Sequence, residues 1–486
     1  MTIRLYNTAT HRKEDFHPMH EGKVGMYVCG VTVYDLCHIG HARSAIVFDV
    51  LVRYLRASGF EVTYIRNFTD IDDKIIERAR KLGKDTTVLA QEFIDAFYDD
   101  MDRLGVLNAD QEPRATEYIE HMVEMITVLL NKGFAYIEDG DVFFAVEKFK
   151  DYGALSGRRL EDMKAGSRIV VNEKKRHPMD FVLWKGAKPG EPQWRSPWGV
   201  GRPGWHMECS VMSNHFLGPT FDIHGGGKDL LFPHHENERA QSMAANNSEF
   251  ARYWVHNGFV TVESEKMSKS LGNFLTIRDA LKSYHPEVLR LFLLSKQYRS
   301  PLDFSRNAVV GLQSGLIRIY RTLQRLSGMI GEYEVKKDIS GSGSLSGEQT
   351  DAFLEQFIQI MADDLNTAGA IGLIFEKIKE MNRSMDLYDD KPDEKDLDQL
   401  KKDRIHLFKA AKVLGILEKS PDDFFDELSR PAGSLDVDEI KKMIEERSKA
   451  RAAKNWAEAD GIRERLQGMG IILEDGPDGT TWRFDV

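Results

Sequence analysis

The stretch KVGMYVCGVTVYDLCHIGHARSAIVFDVLVRYLRASGFEVTYIRNF, residues 23–68, changes its hydrophobic period twice. The runs at 23–29 and 61–68 are rich in β-formers. Between them Ile46, Val47, Val50, Leu51, Tyr54 and Leu55 recur at spacings of three and four, the mark of a helix with one apolar face. Gly59 follows as the left-handed residue that commonly ends such a helix. Strand, helix and strand make a βαβ unit, so the segment predicts an α/β protein with a doubly wound parallel sheet. Ligands of such sheets sit beyond the carboxyl ends of the strands, and His38 and His41 fall at that edge.

Working outward, 486 residues exceed one compact core, which predicts two to four domains. Hydrophobic content of 42% and charged content of 29% suit a soluble globular chain. No apolar run approaches a membrane span, and MTIRLYNTATHRKEDF lacks a signal-peptide core, so the expectation is a cytoplasmic protein with no membrane partner. Three cysteines, Cys29, Cys37 and Cys209, are too few for a disulfide framework and fit a reducing compartment where thiols serve metals or catalysis. A net charge of −11 argues against non-specific coating of nucleic acid while leaving room for a local basic surface.

Residues 69–133 read as helical and charged, and DVFFAV at 141–146 opens a mixed segment. Sheet patterns resume in GRPGWHMECSVMS, FDIHGGGKDLLFPHHENERAQ and YWVHNGFVTV. The expected division is a catalytic domain at 1–106 and 189–255, an insertion at 107–188, and a loop-bearing region at 256–304. A helical bundle at 305–419, a linker at 420–437 and a small terminal domain at 438–486 follow. Leu312, Leu316, Ile319, Leu323 and Leu326 mark the buried face of the bundle's first helix, and SGSGSLSGE from Ser340 reads as a flexible connection. No internal repeat is present.

Backbone amides at a helix start carry about half a positive charge, and two histidines there would add donors for an anionic phosphate. The plainer alternative is that His38 and His41 are surface or capping residues. EKMSKSLGN at 265–273 bears on the choice, because Lys266 and Lys269 on a polar loop could close over a triphosphate and neutralise charge developing in a transition state. HIGH at 38–41 and KMSKS at 266–270, in this order and in a sheet pattern, resemble the signature pair of class I aminoacyl-tRNA synthetases. The resemblance implies a Rossmann-type catalytic domain in which both motifs bind ATP.

Cys29 ends the first strand, Cys209 lies in GWHMECS, and FPHHENE sets His234 and Glu238 four apart, on one face if helical. Two thiolates, an imidazole and a carboxylate would satisfy tetrahedral zinc if the fold gathers them. His235 is a competing imidazole, and two distant cysteines can also be packed apolar residues. The whole set of motifs, with RSKARAAKNWAEADGIRERLQGMGIILEDGPDGTTWR at 447–483, is similar to the cysteinyl-tRNA synthetase family along most of the chain. That resemblance implies a zinc ion on Cys29, Cys209, His234 and Glu238, with the substrate cysteine adding its own sulfur. It also implies Gly30, Thr32 and Trp205 beside the amino acid, and Asp229 near the nucleotide. His38, Gly40, His41, Lys266 and Lys269, with Mg²⁺, are expected to handle ATP. Cys37 is expected to be a packed thiol without a catalytic role.

Serine differs from cysteine by one atom, and an ordinary pocket separates such near-isosteres by only about 10². Zinc rewards a soft thiolate, so selection at the binding step is expected to make a hydrolytic editing domain unnecessary. L-cysteine, ATP and tRNA-Cys are the expected partners of a monomer. Arg447, Arg451 and Lys454 fall at i, i+4 and i+7 as a basic stripe, and Trp482 with Arg483 could meet unpaired anticodon bases. Two rival readings share the motifs: a ligase joining activated cysteine to a small amine, and a non-catalytic RNA-binding protein on a synthetase scaffold.

Overall fold

Strands Lys23–Val28 and Glu61–Arg66 pair in parallel, and the Ile39–Ala57 helix crosses between them. In this computed structural model the described residues are 2–159, 174–263, 265–266, 274–331, 345, 351–388, 392–429, 437–452, 455–468, 471–476 and 479–484. Phe221–Gly227 and Ala251–Asn257 extend the parallel sheet, whose spatial order is 251–257, 221–227, 23–28, 61–66. From Lys23–Val28 the chain builds first to one side and later to the other. The order therefore reverses between 23–28 and 221–227, and the crevice outside their carboxyl ends is where a doubly wound sheet binds ligands.

Side chains alternate across the sheet with the strand period of two. Val24, Met26 and Val28 enter a core with the Ile39–Ala57 helix and the helical region beyond residue 305. Tyr27, Cys29 and Ile65 enter a second core with the helices Trp205–Leu217 and Glu236–Asn246 and the insertion. The first helix ends as expected, with Gly59 at φ +95° two residues past Ala57.

The insertion is an antiparallel sheet in the order 135–138, 141–144, 181–186, 199–203, 194–196. Two boundaries move from those expected. Gln111 and Arg114 bridge Ile65 and Phe68, so the chain still follows the main sheet past residue 107. At the other end Trp184 pairs with Pro203, which carries the insertion beyond residue 188. The short strands Trp194–Ser196 and Gly199–Pro203, rich in glycine, proline and polar residues, give no periodic signal.

Val260–Val262 runs parallel to Leu302–Phe304 and antiparallel to Glu265–Lys266. Helices Arg306–Ile330, Ala352–Ala362, Thr367–Leu387 and Glu394–Leu414 follow, with Leu316, Ile319, Leu323 and Leu326 buried as their spacing predicts and Leu312 half-buried. The expected linker at 420–437 contains a helix, Pro421–Ser429. Ser420 caps it by accepting from the Asp423 amide, and Phe424 stacks on Tyr320 with ring centroids 3.8 Å apart, so apolar burial outweighs the linker-like composition. Helices Val437–Ala452 and Trp456–Gly468 and a hairpin of Ile471–Gly476 with Gly479–Phe484 complete the fold. Among the described residues no helix is long and apolar enough to cross a membrane.

Candidate active site

Cys29 lies immediately after the first parallel strand, and Cys209 sits four residues into the Trp205–Leu217 helix. Their sulfurs are 3.4 Å apart. Cys29 Sγ is 3.6 Å from His234 Nε2 and 3.3 Å from Glu238 Oε1, and these last two atoms are 2.8 Å apart. A four-coordinate ion at about 2.3 Å from sulfur and about 2.1 Å from nitrogen or oxygen needs edges of roughly 3.4 to 3.8 Å. The edges from Cys29 come close to that frame, the His234–Glu238 edge is shorter as a hydrogen-bonded pair, and all four donors are buried, a cluster compatible with zinc. His234 precedes the Glu236–Asn246 helix, in the turn Leu231–His235, where Phe232 is extended. The expected shared helical face is thus a turn leading into a helix, yet the two side chains still meet.

His235, the competing imidazole, also reaches Cys29 and Glu238 in a second possible donor set with His224. In that set His224 Nε2 is already engaged with Glu238 Oε2 at 2.8 Å, and His235 Nδ1 lies 2.8 Å from His256 Nε2. The set with two sulfurs leaves His224 to orient Glu238, an outer role that metal sites usually contain. His234 is held in turn by His206, with Nδ1 atoms 2.9 Å apart, and by Trp205, whose ring stacks on it at 4.0 Å. Burial opposes ionisation of Cys209, but the Cys29 thiol donating to it and His234 beside it bring it to about 6. Burial likewise opposes charge on Glu238, and His234 and His224 overcome this to hold it well below the usual carboxylate range. Burial disfavours the His234 cation, whereas Glu238 and Cys209 push it up to about 10. The cluster thus offers a thiolate and a carboxylate before any cation enters, and metal binding would release the remaining protons.

Gly30 and Thr32 follow directly on Cys29. A Cβ on Gly30 would lie 1.6 Å from the Asn67 carbonyl oxygen, so only glycine fits, and its amide donates to Asn67 Oδ1 at 2.9 Å. Thr32 bridges Thr69, whose hydroxyl donates to the buried Glu208 at 2.6 Å. Trp205, stacked on His234, is 37% exposed. Asp229 lies exposed beyond the end of Phe221–Gly227. Gly227 gives it room, since a Cβ there would meet Asp229 Oδ1 at 2.3 Å.

His38 is the N-cap of the first helix. Its Nδ1 accepts from the amides of Gly40 at 3.0 Å and His41 at 3.4 Å, while His41 Nδ1 accepts from the His38 amide at 3.3 Å. The rings stack with centroids 3.7 Å apart. Burial and His38 hold His41 well below the usual histidine range, so it is neutral. The capping alternative is thus realised, and it sharpens the functional one: with Nδ1 accepting in both rings, Nε2 is the atom left to carry a proton, as a donor. The segment after KMSKS returns to this point, with Ile39 N–H donating to Leu275 O at 3.1 Å and Ile277 N–H to Cys37 O at 2.9 Å. Cys37 is buried and its thiol is pushed up to about 12 by that burial. Lys266 has its backbone in a strand and its side chain outside the described residues, where Lys269 also lies.

In the last domain Arg447 is buried, which corrects its place on an exposed stripe, while Arg451 is exposed. Lys454 lies outside the described residues, as do the side chains of Trp482 and Arg483, whose backbones pair with Leu473 and Ile472. The sequence reading passed over His206, His224, Asn67 and Arg43. A histidine inside the central strand Phe221–Gly227 was itself a signal, because a polar ring in a sheet core needs a partner.

Residues 15–313 match the family described as tRNA synthetases class I (C) catalytic domain. Residues 356–418 match the DALR domain, and 437–483 match the cysteinyl-tRNA ligase anticodon binding domain. The cysteine-tRNA ligase of Syntrophobacter fumaroxidans is 53% identical, covering 99% of this chain and 100% of the relative. That of Thermodesulfovibrio yellowstonii is 50% identical over all of both chains. Among solved structures, methionyl-tRNA synthetase of Mycobacterium tuberculosis with methionyl-adenylate superposes with a TM-score of 0.59 at 18% identity, over 84% of this chain and 93% of that one, which shows the fold. An anticodon-binding domain and full-length likeness to these ligases set aside both rival readings. The chain belongs to the cysteine-tRNA ligase family of class I aminoacyl-tRNA synthetases, enzymes that use ATP to join cysteine to tRNA.

Proposed function

We propose that Cys29, Cys209, His234 and Glu238 bind zinc and that this site selects cysteine by its sulfur. The observation that carries the reading is the donor set, two sulfurs, an imidazole and a carboxylate near tetrahedral spacing at the switch point of the sheet. When bound there, zinc supplies a soft Lewis acid that favours a thiolate over a hydroxyl. Trp205 closes over the amino acid, Gly30 and Thr32 border it, and Asp229 faces the nucleotide. The carboxylate of cysteine is already a nucleophile, so the chain's task is placement and charge stabilisation. The carboxylate attacks the α-phosphorus of ATP and pyrophosphate leaves. His38 and His41 donate to the phosphates, Gly40 leaves room for the nucleotide, and Lys266 and Lys269 neutralise the departing pyrophosphate, to which Mg²⁺ bound with ATP would add positive charge. A terminal ribose hydroxyl of tRNA-Cys then attacks the acyl carbon and AMP departs. Arg451, Lys454 and Trp482 are the proposed contacts of the last domain with the tRNA. Selection at binding leaves no need for hydrolytic editing.

Cobalt(II) substitution tests the metal reading without relying on turnover. Cysteine should change the thiolate-to-cobalt absorption of the substituted protein and serine should not. An unchanged spectrum at saturating cysteine would overturn the proposed ligation.

A further inference from the structure

Arg43 follows the two histidines by half a turn, and its side chain is fully buried. Its bonds run to five backbone carbonyls. Nη1 donates to Gly258 O at 3.0 Å and Phe259 O at 2.7 Å, and Nη2 donates to Gln297 O at 3.4 Å, Tyr298 O at 3.2 Å and Ser300 O at 2.6 Å. A buried cation is costly unless it is satisfied, and a guanidinium fork can satisfy several carbonyls that a lysine's single nitrogen cannot. Burial lowers Arg43 to about 10, which still leaves it charged at neutral pH. The five carbonyls belong to two segments, 258–259 and 297–300, that cross here, since Gly258 N–H donates to Tyr298 O and a Cβ on Gly258 would meet Ser300 O at 2.5 Å.

From this crossing Val260–Val262 and Leu302–Phe304 run on side by side, and Glu265–Lys266 pairs with the former. At its far end the same stretch is tied back through Leu275 and Ile277 to residues 37–39. The chain from Gly258 to Ile277, which contains KMSKS, is therefore fastened at both ends to the start of one helix. A second grip holds residues 297–299 from the helical region. Buried Asp364 accepts from Gln297 Nε2 at 2.9 Å, Tyr298 Oη at 2.8 Å and Arg299 Nε at 2.8 Å, on a turn where Asp364 and Leu365 have φ of +63° and +52°. Two successive left-handed residues without glycine persist only where the surroundings impose them.

We propose that Arg43 is a positioning residue for adenylate formation: by drawing five carbonyls of two segments together it fixes the root of the strand carrying Lys266 relative to His38 and His41. The proposal rests on the reading that those groups act on ATP. Transition-state charge is met only by groups held in place beforehand, and a displacement near 1 Å can cost about 10²-fold. Arg43 is fully buried with its guanidinium on backbone carbonyls, so it acts through those segments, and loosening it should slow the step without weakening cysteine or metal binding.

The test is cysteine-dependent ATP–pyrophosphate exchange on the full-length, metal-loaded protein. Arg43→Lys should lower kcat by about thirtyfold, with KM for cysteine within about twofold and metal content unchanged. Arg299→Ala, at a half-exposed position of the outer grip, should show the same pattern at about threefold and decides the matter if Arg43→Lys does not fold. Exchange within twofold of wild type in a folded variant would overturn the proposal, as would loss of cysteine affinity and metal in step with kcat. Absence of exchange in the wild-type protein would instead overturn the functional reading beneath it.

Discussion

Replacing His38 separates the two things its ring does. As N-cap, Nδ1 satisfies the amides of Gly40 and His41. As a proposed donor, Nε2 meets phosphate charge that grows as the α-phosphorus is attacked. Asparagine caps helices as well as any residue and keeps an acceptor near the same amides, but it has no group where Nε2 stands. His38→Asn should therefore melt within about 1 °C of wild type, while His38→Ala should lose about 1 kcal/mol, or about 2 °C in a domain of this size. Removing one preorganised donor typically costs about 10² to 10³ in rate, so both variants should lose that much in cysteine-dependent pyrophosphate exchange. Thermal melting and exchange on the same preparations give both readings. Exchange by His38→Asn within about threefold of wild type would refute the donor role and leave His38 as a cap.

Cys209→Ala should abolish tight metal binding, since it removes the sulfur most easily ionised, and elemental analysis should find well under the wild-type content. Trp482→Ala should raise the KM for tRNA several-fold and leave pyrophosphate exchange unchanged; an unchanged KM would remove it from the interface. Glu287, buried where it accepts from the Leu417 amide at 2.6 Å and the Tyr320 hydroxyl at 2.7 Å, is raised to about 7 from 4.5, chiefly by burial. Between those values the folded chain keeps a proton that the unfolded chain has lost. Stability should therefore fall by roughly 3 kcal/mol as pH rises from about 4.5 to about 7 and level off above. Glu287→Gln should flatten that window in urea melts; a profile parallel to wild type would contradict the assignment.

The features legible in the sequence are those in which one short stretch carries its own constraint. Residues 23–68 announce strand, helix and strand because the apolar period changes within a single run. Cys29, Cys209, His234 and Glu238 were found through residue type and motif, and the structure brings them together. Long-range pairings were not legible. Arg43 looks like any helical arginine until segments more than 200 residues away present their carbonyls to it. Arg447 reads as a stripe residue, yet tertiary packing buries it, and Phe424 turns an apparent linker into a docked helix. His224 is legible only in part, since its place in a central strand signals a partner but not that the partner is Glu238.

The most direct test of the central claim is the ratio of kcat/KM for cysteine and for serine in pyrophosphate exchange on the metal-loaded protein. Selection by sulfur at the four-ligand cluster predicts a ratio well above about 10², the limit of an ordinary pocket for such near-isosteres. A ratio near about 10² or below would contradict it, and selection would then have to act after activation.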